Sequence, residues 1–116
     1  MGGAIQGTEL SLSTVVTTFA GSSSGSTDTA DGTPSFFKPR GITTDGTNLY
    51  VADSNNHRIR KIVISTGVVT TLAGSSAGST DATGTSASFY WPTGITTDGS
   101  NLYVADMYYH RIRKIE

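Results

Sequence analysis

The run Gly41-Ile42-Thr43-Thr44-Asp45-Gly46 returns as Gly94-Ile95-Thr96-Thr97-Asp98-Gly99, an offset of 53 residues (94 − 41). His57 and His110 keep the same offset, as do Ala20-Gly21 and Ala73-Gly74. Laid without a gap, residues 14–63 and 67–116 agree at roughly 33 of 50 positions. A period of this size marks solenoids, propellers and arrays, whose unit cannot bury its apolar faces alone and stacks on neighbours to do so. A chain of 116 residues that is almost entirely two copies of one unit is therefore part of a stack.

Within the unit, apolar residues alternate or cluster over four to eight positions and are punctuated by Gly, Asn and Asp, the pattern of short strands. The runs place strands near residues 41–45, 48–53, 57–64 and 67–73, with tight turns at Asp45-Gly46 and Ser65-Thr66-Gly67. Ile, Val and Thr dominate them, and no stretch repeats apolar residues at a helical spacing. The expected class is all-β, each unit a four-stranded antiparallel meander.

Composition narrows the function. Eight basic residues against nine acidic ones give a net charge of −1, which offers no bulk field for a polyanion or an anionic bilayer. Nucleic acid and membrane surfaces are not expected partners. No run of 18 apolar residues exists, and Met1-Gly2-Gly3-Ala4-Ile5 lacks the pattern of a secretory signal. The absence of cysteine excludes disulfides, thiol catalysis and thiolate metal sites, and leaves the compartment of this soluble chain open, an extracellular or periplasmic parent included.

Pro39-x-Gly41-Ile42-x-x-Asp45-Gly46-x-Asn48-Leu49-Tyr50-Val51-Ala52-Asp53-x-x-Asn56-His57-Arg58-Ile59 resembles the NHL repeat, one four-stranded blade of a β-propeller. The second copy carries the same residues from Pro92 to Ile112, with Tyr109 where the first has Asn56. The resemblance implies that the first strand of each unit lines a central channel and the fourth lies at the rim. It gives residues 1–14 as a lead-in, 15–66 as a rim strand, a loop and the first blade, and 67–116 as the first blade's rim strand, a loop and three strands of the second.

Residues 15–19 (Val-Val-Thr-Thr-Phe) match the rim strand at 68–72 but precede any innermost strand, and three strands follow in the second copy. The orphan strand and the missing strand are expected to be one element, an N-terminal latch on the last blade of a ring. Two blades cannot close alone, because two outer faces and a strand edge would stay in water. The chain is therefore expected to assemble with copies of itself, as a piece excised or engineered from a longer propeller. Two blades per chain permit four, six or eight blades. Six, as a homotrimer, is the expectation, with an eight-bladed tetramer second.

Asp53 and His57, with Asp106 and His110, sit four residues apart, the spacing of a carboxylate that orients an imidazole. No nucleophile or third ligand accompanies either pair, so the preferred reading is structural: Asp53 and Asp106 hold turn amides and His57, Arg58, His110 or Arg111. The stretches Arg58-Ile-Arg-Lys-Ile62 and Arg111-Ile-Arg-Lys-Ile115 hold six of the eight basic residues, and some NHL proteins grip RNA through a basic face. Interleaved with Ile, they read here as a solvated outer stretch. The long connections, Gly21–Arg40 and Gly74–Thr93, have the length of functional or mobile loops. They lack a phosphate-loop lysine, and Asp28 and Asp31, with only Asp81 kept in the second copy, read as turn caps rather than calcium ligands. Phe36 and Phe89 read as plugs between blades.

The copies differ most at Ser54-Asn55-Asn56 against Met107-Tyr108-Tyr109, and at Phe37-Lys38-Pro39-Arg40 against Tyr90-Trp91-Pro92-Thr93. In a meander the second-to-third turn and the connection into the next first strand leave from the same end, so both changes fall on one face of the ring. Tyr90, Trp91, Tyr108 and Tyr109, with Lys38 and Arg40, are the candidate ligand contacts, for a peptide, protein or glycan. The competing reading is that the aromatics only pack on one another. No metal, cofactor or catalytic residue is expected. The alternative of another class is a channel-site hydrolase or lactonase, for which Gly41-Ile-Thr-Thr-Asp45 offers only Thr and a turn Asp.

Overall fold

The computed structural model describes residues 10–116. Among these residues seven strands form two antiparallel sheets. The first blade runs β1 (Pro39–Thr44), β2 (Asn48–Asp53), β3 (Arg58–Val63) and β4 (Val69–Gly74), each hydrogen-bonded to the next. The second runs β5 (Pro92–Thr97), β6 (Leu102–Asp106) and β7 (Arg111–Ile115) in the same manner. Three short 3-10 turns are the helical elements among the described residues, and none is long and apolar enough to cross a membrane. The meander expected from the alternating pattern is the observed one.

The turns form for local reasons that recur in both copies. Asp45 Oδ1 accepts the N–H groups of Thr47 and Asn48 at 2.9 and 2.8 Å, while Tyr50 donates its hydroxyl to Oδ2 at 2.9 Å. Gly46 supplies the left-handed residue of that turn at φ +93°. Asp98, Tyr103 and Gly99 repeat the arrangement. At the opposite end of the blade, Ser54–Asn56 makes one 3-10 turn, and His57 at φ +56° reverses the chain into β3.

Because side chains alternate across a strand, each blade has two faces. One face of the first blade, carrying Ala52, Ile59 and Ala73, packs with Phe89 and Val104 of the second, and Leu72, Ile95 and Ile115 flank them. The opposite face carries Val51, Ile62 and Val69, partly covered by Ala20 and Phe36. Near the inner strands the blades meet closely: a Cβ on Gly41 would collide with the Thr93 carbonyl oxygen and lie 3.1 Å from the Gly94 Cα.

Within the single chain residues 15–19 are unpaired: Val15 and Val16 are exposed, and Ala20 at the end of the segment packs on the blade. One expectation needs correction. The basic stretches are not solvated throughout: Arg111 and Lys114 stay exposed, while Arg60 is fully buried and Arg113 nearly so. Pairing with Val51 and Val104 turns these two arginines toward the packed face, and their partners there hold the charge.

Candidate functional site

Two constellations gather the polar and aromatic side chains, and the first fastens each long connection to its blade. Arg60 donates from Nη1 to Asp53 Oδ2 (2.9 Å) and the Ser35 carbonyl (2.7 Å), and from Nη2 to Asp28 Oδ1 and the Thr27 carbonyl (2.8 Å each). Its guanidinium lies 4.9 Å from the centre of the Phe36 ring. Arg113 repeats the set with Asp106, the Ser88 carbonyl, Asp81 and the Thr80 carbonyl, above Phe89 at 5.0 Å. A planar five-donor fork is the side chain suited to tie two carbonyls and two carboxylates at once. The loops are clasped further by Gly25 N–H on the Phe36 carbonyl and Gly78 N–H on the Phe89 carbonyl, both at 3.0 Å.

The cationic partners of Asp53 and Asp106 are Arg60 and Arg113 rather than the neighbouring histidines or Arg58. Asp53 also accepts the Phe37 N–H and the Asn56 amide. Arg58 reaches the Ser75 carbonyl at 3.3 Å, and Arg111 lies over the Tyr109 ring at 5.9 Å. Asp28 and Asp81 are arginine partners instead of turn caps. Sequence reasoning missed Arg60, Arg113 and this role of the two Asp residues. The signal was available, since both Arg–Asp pairs keep one spacing in both copies, 28 to 60 and 81 to 113.

The second constellation is aromatic and sits at the end of the blades where the sequence differences place it. The Met107 and Tyr108 N–H groups donate to the Trp91 and Tyr90 carbonyls at 3.3 and 3.2 Å, so the β6–β7 turn and the connection into β5 are one surface. Tyr90 is its hub. It stacks on Tyr108 at 4.1 Å between ring centres, and meets His57, Trp91 and Tyr109 edge-on at 5.1 to 5.7 Å. Trp91, Tyr108 and Tyr109 keep 38, 50 and 37% of their surface in solvent, so the rings pack on one another and still present open faces. Lys38 lies on the connection into β1 and Arg40 within β1, and neither stands over a ring of this cluster; Lys38 has the left-handed backbone of Trp91, one blade earlier.

His57 joins the blades at this cluster. The Trp91 N–H, on the second blade, donates to His57 Nδ1 at 3.1 Å, which fixes the imidazole as neutral with its proton on Nε2. Burial lowers the His57 pKa below its usual value, and the Asp106 carboxylate partly offsets that shift. Both halves of the suspected Asp–His pair are thus occupied, Asp53 by Arg60 and His57 by a backbone amide. Among the described residues no three His, Asp or Glu side chains converge as a metal site would require.

The NHL-repeat family model matches residues 36–62. The chicken (Gallus gallus) NHL repeat-containing protein 2 is 34% identical over 80 residues, which is 67% of this chain and 11% of that protein. A solved structure of a Bacteroides thetaiotaomicron protein of unknown function is 34% identical, with a TM-score of 0.66 over 70% of this chain and 22% of its own. An auxiliary nutrient binding protein from the same species is 25% identical, with a TM-score of 0.72 over 84% of this chain and 28% of its own. Its counterpart from Bacteroides ovatus is 27% identical, with a TM-score of 0.70 over 81% and 26%. The chain thus spans about a tenth of the curated relative and roughly a quarter of the solved structures.

Proposed function

The chain is built of NHL repeats, and from that premise we propose that it is a binding module, one sector of a closed propeller ring whose aromatic seam cluster contacts the ligand. The observation that carries this reading is the cluster itself: Tyr90 stacked on Tyr108, with open faces of Trp91, Tyr108 and Tyr109 at the end of the blades. Rigid rings ordered by their own packing lose little entropy when a ligand settles on them. Flat faces edged by phenolic hydroxyls suit an oligosaccharide, whose C–H faces stack while its hydroxyls take hydrogen bonds. The likeness to nutrient-binding proteins of Bacteroides supports a small nutrient of this kind over a macromolecule.

Binding is favoured over catalysis by the commitment of the suspected Asp53–His57 pair. A general base needs a free lone pair, and His57 Nδ1 is taken by Trp91 while Asp53 neutralises Arg60. The ring is completed by copies of the chain, three of them giving six blades. The aromatic set falls on the second blade of each chain and the polar Lys38–Asn55 set on the first, so such a ring alternates the two around its mouth.

Calorimetric titration with a panel of soluble oligosaccharides tests the ligand reading. One site per chain is expected. Trp91→Ala and Tyr108→Ala each weaken binding at least about tenfold, as aromatic contact residues do, with the melting temperature nearly unchanged. No heat from any member of the panel, or a melting temperature that falls with affinity unchanged, overturns it.

A further inference from the structure

We propose that the aromatic cluster takes an acidic oligosaccharide, a uronate whose ring lies on Trp91 and Tyr108 and whose carboxylate meets the Arg111 guanidinium. The proposal rests on the binding-module reading above and names its ligand class. It starts from a charge separation that the net charge of −1 conceals. At the end of the blades that carries the aromatics stand Lys38 ahead of β1, Arg40 early in β1, Arg58 at the start of β3 and Arg111 at the start of β7. Among the described residues none of these cations is in an ion pair. The opposite end carries Asp45 and Asp98, both exposed in the β1–β2 and β5–β6 turns.

The cations are free because the acids beside them are spent. In the sheets Arg58 lies across from Asp53 and Arg111 across from Asp106. Both carboxylates are buried and turned inward. Asp106 accepts the Tyr90 N–H on Oδ1 at 2.8 Å and Arg113 on Oδ2 at 2.9 Å, and Asp53 accepts the Phe37 N–H and Arg60 at the same distances. The register sets this rather than a missing neighbour: Arg58, with a strand on each side of its own, donates Nε to the Ser75 carbonyl and has no acidic partner either. Asp31 lies toward the far end, where Thr29 of the same turn accepts the Val69 N–H. The charges open to a ligand at the aromatic end are thus cationic, and their attraction acts over a screening length of about 8–10 Å.

Arg111 is the cation that stands over the cluster. Its guanidinium carbon is 5.9 Å from the centre of the Tyr109 ring, which meets Tyr90 and Tyr108 edge-on at 5.7 and 5.6 Å. A planar guanidinium receives a planar carboxylate through two parallel hydrogen bonds, while aromatic faces take the C–H face of a sugar. One guanidinium beside one set of rings fits a sugar with one carboxylate on its ring. A chain of phosphates would want a longer basic track, and the acids at the far end leave no bulk field to draw it.

Calorimetric titration with a galacturonate trimer, its methyl ester and neutral trimers separates this inference from the reading it rests on. The acid is expected to bind at least about tenfold more tightly than the ester, as a charge-assisted pair would give, and added salt should narrow that ratio. Arg111→Gln should abolish the preference, whereas Trp91→Ala should weaken acid and ester together and keep their ratio. Acid and ester bound equally, or a neutral trimer bound where the acid is not, overturns the acidic ligand and leaves the binding module standing. A preference that survives in Arg111→Gln overturns the assignment of the carboxylate to that residue. An oligomer of polyuridylate bound more tightly than the acid gives the surface to nucleic acid and overturns the proposal. No heat from acid, ester or any neutral trimer overturns both readings.

Discussion

At the scale of single residues, His57 shows how one backbone choice links fold to site. Its left-handed φ of +56° turns the chain into β3 and swings the imidazole across to the second blade, where Nδ1 accepts the Trp91 N–H. Protonation replaces that acceptor with a donor and sets two N–H groups against each other. The folded pKa is lowered, chiefly by burial, so the sign is fixed. The stabilising contribution is full above the unfolded value of about 6.5 and is lost as pH falls through the lower folded value. Trp91 is the sole tryptophan and reports on the event. Its emission should change in a single step with a midpoint below about 6.5, and His57→Asn, which tolerates the left-handed backbone, should remove the step. An unchanged step in that variant refutes the linkage. A different behaviour belongs to Asp45, which is held at about 2 by the Asn48 and Thr47 amides and the Tyr50 hydroxyl, and so stays charged across this range.

At the scale of elements, the long connections behave as parts of the blade because an arginine anchors each of them. Arg60→Met leaves Asp53 buried without its cation and should cost about 3–5 kcal/mol, the range for breaking a buried pair. Asp81→Ala removes a carboxylate whose side chain is 89% exposed and should cost about 1 kcal/mol or less. Urea unfolding gives both values, and faster amide exchange at Gly25 in Arg60→Met alone would locate the loss in the first loop; equal costs would refute the asymmetry. Much of this level was legible in the sequence. The alternation of Leu49, Val51, Ile59 and Ile62 with polar residues specifies the strands and faces, and Asp45-Gly46 specifies its turn. The common exit of the 54–56 and 107–109 turns with the 37–40 and 90–93 connections places the aromatic face. The arginine anchors were harder to read, because a basic residue in an Ile-flanked stretch looks exposed by composition; the partners that reverse this lie 7 and 32 residues away, and the one hint was a spacing kept in both copies.

At the scale of the whole molecule, the two copies are one sequence in two environments, and the difference measures what a neighbouring blade contributes. Burying an isoleucine such as Ile112 as Ile59 is buried stabilises by roughly 1.5–3 kcal/mol, and Ile42, 60% exposed, and Val16 add to the apolar surface awaiting cover. The faces left open are different surfaces, one on each blade, so in the proposed ring copies would meet head to tail, a contact that forms either a ring or an open filament. The internal seam decides between these outcomes. If each seam between copies repeats it, every blade is rotated from the last by one constant wedge about the axis near β1 and β5, and the chain closes once the rotations complete a turn. Two blades per chain restrict the total to an even number. The small and mid-sized residues of Gly41-Ile-Thr-Thr and Gly94-Ile-Thr-Thr suit an intermediate wedge, and six blades is the proposed total. Light scattering coupled to size exclusion is the check. With a chain of 12.1 kDa, the expected mass is about 36 kDa for three copies (3 × 12.1), and about 48 kDa (4 × 12.1) would replace the trimer with an eight-bladed tetramer. A mass that grows without limit as concentration rises would mean that the wedge does not close, and that the same seam builds a filament.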